Sequence, residues 1–148
     1  MSGIILPQET FIRECYVFDN YDGDTIYYHA DLGYDTWATF LTGRLLGINS
    51  PEIRPLKTRV AGQAAKAALM GMVQEYAFNR DGKPHQFGHK LLIKSLPAKN
   101  KHFSDQKVMK KGKFGRWLVQ LIGMDESNLP VDINQLMVEK GFAKPYGG

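Results

Sequence analysis

Asp22-Gly23-Asp24-Thr25-Ile26-Tyr27-Tyr28-His29-Ala30-Asp31 is the stretch whose reading decides the fold. From Thr25 to Asp31 it alternates, with Ile26, Tyr28 and Ala30 on one face and Thr25, Tyr27 and His29 on the other. Alternation among β-branched and aromatic residues is the mark of a strand. Upstream, Ile12 to Phe18 is also β-like, and the turn formers Asp19-Asn20-Tyr21-Asp22-Gly23-Asp24 join the two. Downstream, a Gly33-Tyr34-Asp35 turn leads into a third strand, Trp37 to Ile48. Three meandering strands therefore open the chain.

The period then changes. Between Thr58 and Arg80 there is no proline, and Ala61, Ala65, Ala68, Leu69, Met72 and Tyr76 recur at three- and four-residue steps. This spacing predicts a helix with one apolar stripe, its small alanines suited to close packing on a sheet. Asp81-Gly82-Lys83-Pro84 ends it; Phe87 to Leu96 and Trp117 to Ile122 read as fourth and fifth strands separated by a lysine-rich connection. Asp132-Ile133-Asn134-Gln135 has capping-box spacing, Ile133, Leu136 and Met137 share a face, and Gly141 suits a C-terminal cap. The order βββ-α-ββ-α predicts a β-rich α+β protein, a five-stranded Greek-key barrel of the OB type with two packed helices.

At 148 residues the chain is expected to form one domain, residues 1–148, around one core. Its 43% hydrophobic and 23% charged residues exclude a disordered or collagen-like chain. Cys15 is the only cysteine, which excludes an intrachain disulfide and suggests a buried, inert thiol. No window approaches the roughly 18 apolar residues of a membrane helix, so no membrane partner is expected. Ile4-Ile5-Leu6 stops at Pro7 with no basic residue before it, too short for a secretory core. An intracellular, monomeric protein is expected, unless a signal was removed before this numbering begins. The charge is uneven. Residues 1–43 carry seven acids against Arg13, a net of −6, whereas residues 90–116 carry eight lysines and Arg116 against Asp105, a net of +8. Such a division suggests a polyanionic partner, with a cation where acid meets polyanion; a solvated lysine-rich loop is the plainer alternative.

Four stretches place polar residues where turns meet strands. Asp22-Gly23-Asp24-Thr25 sets two carboxylates and a hydroxyl in a tight turn; an ordinary type I′ hairpin is the plainer reading, and the acids do not follow the spacing of an EF-hand. Arg44-Leu45-Leu46-Gly47-Ile48-Asn49-Ser50-Pro51-Glu52 crowds Asn49, Ser50 and Glu52 around a strand end beside Arg44. Gly115-Arg116 opens the last strand, where a guanidinium fork would suit phosphate. The basic stripe Lys107, Lys110, Lys111 and Lys113 meets Phe114. His85 and His89 are four apart, but Pro84 and Gly88 argue against a helix that would pair them on a metal. Tyr16, Tyr27, Tyr28, Trp37 and Trp117 are expected in the barrel core rather than as base-stacking platforms.

In order, Asp22-Gly23-Asp24-Thr25, Arg44-Leu45-Leu46-Gly47-Ile48 with Pro51-Glu52, the alanine-rich helix, Phe114-Gly115-Arg116 and Val138-Glu139-Lys140-Gly141-Phe142-Ala143 resemble the staphylococcal nuclease (thermonuclease) family. The resemblance runs from about Phe11 to Ala143. It implies an OB-type barrel that hydrolyses phosphodiesters of DNA and RNA with little sequence specificity, using Ca²⁺ and leaving 3′-phosphate ends. It also implies roles: Asp24 as principal calcium carboxylate, Asn49 where a second carboxylate ligand is expected, and Ser50 through its backbone carbonyl. Glu52 matches the general base, and Arg44 and Arg116 match the arginines that grip the scissile phosphate. Hydrolysis needs an activated water, neutralisation of charge on the equatorial oxygens and a positioned phosphate, which these groups could supply.

Departures from the family pattern carry consequences. Asn49 offers a neutral oxygen in place of aspartate, so calcium should bind more weakly. The connection holding Lys99, Lys101, Lys107, Lys110 and Lys111 is longer than the family core requires, Phe114 stands where a tyrosine is common, and the family's last helix is missing by Gly148. Tyr146 is a candidate for stacking on a base. The alternative to an active nuclease is a nucleic-acid-binding OB module without turnover; a binder would have no need of Glu52 beside its phosphate site.

Overall fold

The computed structural model describes residues 12–78, 86–95 and 116–146, together with the backbone of 97–100 and 103–109. Strands β1 (Ile12–Asp22), β2 (Thr25–Asp31) and β3 (Trp37–Leu45) form an antiparallel meander. β5 (His89–Ser95) pairs with β1, and β8 (Trp117–Met124) pairs antiparallel with β5 and parallel with β3. The β3–β8 pairing closes the ring, giving a five-stranded mixed barrel of the OB type with two packed helices, α1 (Arg59–Glu75) and α2 (Ile133–Glu139). The β-rich α+β class expected from the sequence is the one observed.

Alternation builds the core as anticipated. Ile26, Tyr28 and Ala30 of β2 face inward onto Val17, Leu45, Leu91, Ile93, Val119 and Leu121, and Ala65, Leu69, Met72 and Val73 of α1 close one end. Burial of these apolar side chains is the main stabilising term. Cys15 is fully buried among them, and burial pushes its thiol up, away from ionisation.

Three boundaries differ from expectation, each for a backbone reason. The third strand ends at Leu45, because Leu46 and Gly47 turn the chain, Gly47 at φ +83, before the two-residue β4 (Ile48–Asn49). The helix ends near Glu75 rather than Arg80, because backbone groups just beyond it bond to the sheet: Phe78 N–H to Lys90 O at 2.9 Å, and Met124 N–H to Tyr76 O at 2.9 Å. The lysine-rich connection contains a hairpin, β6 (Pro97–Asn100) and β7 (Phe103–Met109). Around α2 the local signals hold. Asp132 accepts the Gln135 N–H, and Gly141 at φ +82 completes a Schellman motif through Phe142 N–H to Met137 O and Gly141 N–H to Val138 O. Between β8 and α2, β9 (Pro130–Asp132) adds to the sheet, and β10 (Lys144–Pro145) later pairs with β4. Among the described residues no helix is long and apolar enough to cross a membrane.

Candidate active site

The β1–β2 turn is tight for a steric reason. Neither Gly23 nor Asp24 has the positive φ that a type I′ turn needs. A Cβ on Gly23 would instead lie 2.7 Å from the Ala65 Cβ and 2.8 Å from the Ser50 Cβ, so glycine lets α1 and the segment after β4 close over the turn. Asn20, nearly buried, ties the same turn to the helix by donating to Asp22 O at 3.0 Å and Lys66 O at 2.9 Å.

That closure buries Asp24 and Ser50 together. Asp24 Oδ2 accepts the Ser50 N–H at 2.9 Å, and its Oδ1 accepts the Thr25 hydroxyl at 3.1 Å. Asp22 stands beside it, accepting the Asp24 N–H at 3.1 Å. Burial first, and the Asp24 charge second, raise the Asp22 carboxyl to about 6. The Ser50 hydroxyl is buried with no hydrogen-bond partner among the described residues. Ser50 thus meets Asp24 through its backbone N–H.

Arg44 lies opposite Thr25 in the β2–β3 ladder, at the mouth of this pocket. Its guanidinium is held on several sides. Nη1 donates to the carbonyls of Ile48 at 3.0 Å and Leu45 at 3.2 Å, and Nη2 to Asn49 Oδ1 at 3.2 Å, while Asp24 Oδ2 lies 3.7 Å from Nη2. Asn49 therefore reaches the site as a partner of Arg44. β10 pairs with β4, and Tyr146 N–H continues the register to Gly47 O at 2.8 Å. This places the Tyr146 ring under Arg44, with the guanidinium carbon 5.4 Å from its centroid.

Arg116 directly precedes β8, whose parallel pairing sets Leu118 beside Arg44. Leu118 and Arg44 share a face of the ladder, and Arg116 stands two residues before Leu118, where the chain enters the strand. Glu52 is exposed, two residues beyond Ser50. Its carbonyl accepts the Thr58 hydroxyl at 2.7 Å, and a Cβ on Gly62 would lie 2.7 Å from that oxygen. Thr58 is the N-cap of α1 but makes no side-chain cap to the helix; its hydroxyl fastens the Glu52 loop instead.

Asp24, Arg44, Asn49, Ser50 and Tyr146 are thus brought together, with Glu52 and Arg116 on the adjoining loop and strand. Lys110, Lys111, Lys113 and Phe114 lie outside the described residues, and Lys107 falls within β7. Sequence reading set Asp22 beside Asp24 in one turn but gave it no role, and it missed Thr58 and Gly62 as supports of Glu52; a threonine and a glycine flanking a helix start carry no local sign of such work. It also placed Trp37 and Tyr27 in the core. Tyr28 is there, but Trp37 and Tyr27 belong to the outer face, because the inward positions of β2 and β3 are already taken by the other parity.

The oxygens that could face a cation come from Asp22, Asp24, Asn49 and Ser50, an all-oxygen set suited to a hard ion. Among the described residues no group of three or more His, Cys, Asp or Glu could hold a metal, so neutral oxygens and water would complete any shell. No protein-family model matches the chain, and no curated protein matches it.

Proposed function

We propose that this protein is a calcium-dependent nuclease that hydrolyses phosphodiester bonds of DNA or RNA with little sequence specificity. The observation that carries the reading is the meeting of the Asp22–Asp24 carboxylate pair with Arg44 at one strand end, with Glu52 on the loop that leaves it. An anionic substrate would meet Arg44 and Arg116, whose planar forks suit phosphate oxygens. Glu52, exposed and held by its backbone, would take the proton of the attacking water. Three features support a divalent cation: the crowded carboxylates, the raised Asp22 carboxyl, and the unpartnered Ser50 hydroxyl. When bound it would neutralise charge gathering on the phosphate. The lysines 107, 110, 111 and 113 would add capture of the backbone by counterion release.

A second reading, a binding module without turnover, is favoured by one observation: Arg44 is already engaged by Asn49, two carbonyls and Asp24. Incubation of single- and double-stranded DNA with the protein, in calcium or in chelator, separates the two. Cleavage that requires calcium and is lost in Glu52→Gln supports the enzyme. Binding without cleavage in calcium supports the module.

A further inference from the structure

The outer face of the β1–β3 meander is aromatic beyond the polar site. Phe18 stacks on His29 with centroids 4.6 Å apart, and Phe40 meets the His29 ring edge-on at 4.8 Å. Alongside, Trp37 lies 5.4 Å from Tyr16 and 6.1 Å from Phe87. His29, Trp37, Thr39, Phe40 and Phe87 line a trough of about 330 Å³.

Phe40 is the telling residue. The β2–β3 register slips between Tyr28 and Ala30, where Thr39 and Phe40 both oppose His29. Phe40 takes φ +54, a left-handed conformation costly for a bulky residue, and its N–H donates to His29 Nδ1 at 3.1 Å. Phe40 is nevertheless 78% exposed. Backbone strain that serves to hold an aromatic ring in water is not explained by the core, and points to a ligand.

We propose that this trough stacks the unpaired bases of a single-stranded nucleic acid whose phosphate is held at Arg44 and Arg116. The proposal rests on the nuclease reading and extends it to the form of the substrate. Continuity of one sheet face carries it. Thr25, Tyr27 and His29 follow one another on β2, beside Arg44, Thr42 and Phe40 on β3, with Thr25 opposite Arg44 and Tyr27 opposite Thr42. Phe40 and Arg44 are four residue steps apart along the strand, on the order of 13 Å, the reach of a short run of nucleotides. Base faces are uncharged and stack on aromatic rings whatever the sequence, which fits an enzyme of low specificity. Asp19 opposite Tyr27 and Asp31 opposite Trp37 flank the rings and would keep phosphates off them. A duplex, whose base faces are already stacked inside it, could not use the trough.

Binding of a fluorescein-labelled twelve-residue oligothymidine in chelator, followed by anisotropy and tryptophan quenching, tests this. Phe40→Asn tolerates the left-handed backbone and should keep its melting temperature, yet it and Trp37→Ala should raise Kd by about 5- to 100-fold. Phe40→Tyr should restore it, and Trp37→Phe should remove most of the quenching. The proposal is overturned by parental affinity in Phe40→Asn and Trp37→Ala, or by equal affinity for a matched duplex. Quenching by tetramethylammonium rather than by the oligonucleotide would assign the trough to cations, and altered sedimentation in the patch variants would assign it to a second copy; either overturns the proposal. Cleavage in calcium without stacking in chelator would leave the nuclease reading intact, while stacking in chelator with no cleavage in calcium would leave the trough intact and sink the nuclease.

Discussion

The two ends of the β2–β3 ladder solve opposite problems. At Thr25 opposite Arg44 the register is regular, and the charged groups are drawn inward and bonded to one another and to backbone. At His29 the register slips, and apolar rings are pushed outward. Buried polar groups must find partners, so the polar end is rigid and largely spoken for. Exposed aromatic rings have no such requirement, so the other end remains open. The difference sets a fixed, charged end against an open, aromatic one along one pair of strands; on the proposed reading the first would do the chemistry and the second the capture.

The largest effect should come from the polar end. Glu52→Gln preserves size and hydrogen bonding but removes the proton acceptor, so single-turnover cleavage should fall by about 10²–10⁴ with little change in substrate affinity. A glutamine variant that cleaves at the parental rate would remove chemistry from this end of the ladder. Arg44→Lys keeps charge but loses the fork that now spans two carbonyls and Asn49, so it should depress turnover more than binding.

Next in size is the support of that rigidity. Asn134 is buried in α2; its Oδ1 accepts the Leu121 N–H at 3.0 Å, and its Nδ2 donates to Leu46 O at 2.9 Å and Val119 O at 3.0 Å. It fixes the turn that follows Arg44. Asn134→Leu would take the side-chain partner from Leu121 N–H and Leu46 O, while Val119 O keeps the Leu46 N–H at 2.8 Å, and should cost about 2–4 kcal/mol in chemical denaturation. Phe40→Asn, at the open end, should cost none. A stable Asn134→Leu would mean that the polar end is less rigid than its bonds imply.

The barrel was legible because its signals are local and repeated: alternation in β2, the alanine stripe of α1, and the Asp132 and Gly141 caps all act within a few residues. Arg44, Asn49, Ser50 and Glu52 were legible together because polar residues crowd one strand end, whereas Asp24, in a separate turn, joined them only through the family resemblance. What sequence could not show depends on contacts across the fold. Asp22 pairs with Asp24 in a pocket closed by α1, Thr58 gives up its cap to hold Glu52, and Arg44 reaches Asn49. The outward Trp37 was misplaced for another reason. It was assigned to the core as an aromatic, whereas the pairing beyond the bulge at His29 sets it opposite Asp31 on the outer face.

Asn49→Asp sharpens the comparison more gently. An added carboxylate should lower the calcium concentration at half-maximal cleavage. Arg44 already donates to Asn49 Oδ1 at 3.2 Å and would also be drawn to the new charge, which opposes part of the gain. A divalent ion outweighs one guanidinium, so the midpoint should still fall. Equal midpoints, or a higher one, would take residue 49 out of the cation's surroundings.

The smallest effect concerns protons at the polar end. Asp22 titrates at about 6 when folded, above its ordinary 3.8, because burial and Asp24 disfavour its charge. The folded state therefore holds this proton more tightly than the unfolded one. Its contribution to stability is complete below about pH 4 and is lost as the pH rises through about 6. Asp22→Asn keeps an oxygen to accept the Asp24 N–H and carries no charge at any pH. In chelator, parent and variant should melt together near pH 4, and the variant should gain as the pH rises, reaching an advantage of about 2–4 °C at pH 7.5. Adding calcium should reverse the order, since the cation favours the ionised pair that the variant lacks. An advantage that is the same at every pH would assign the effect to packing rather than to charge. An order that calcium leaves untouched would mean that the Asp22–Asp24 pair holds no ion, and the polar end would then differ from the aromatic one in rigidity alone.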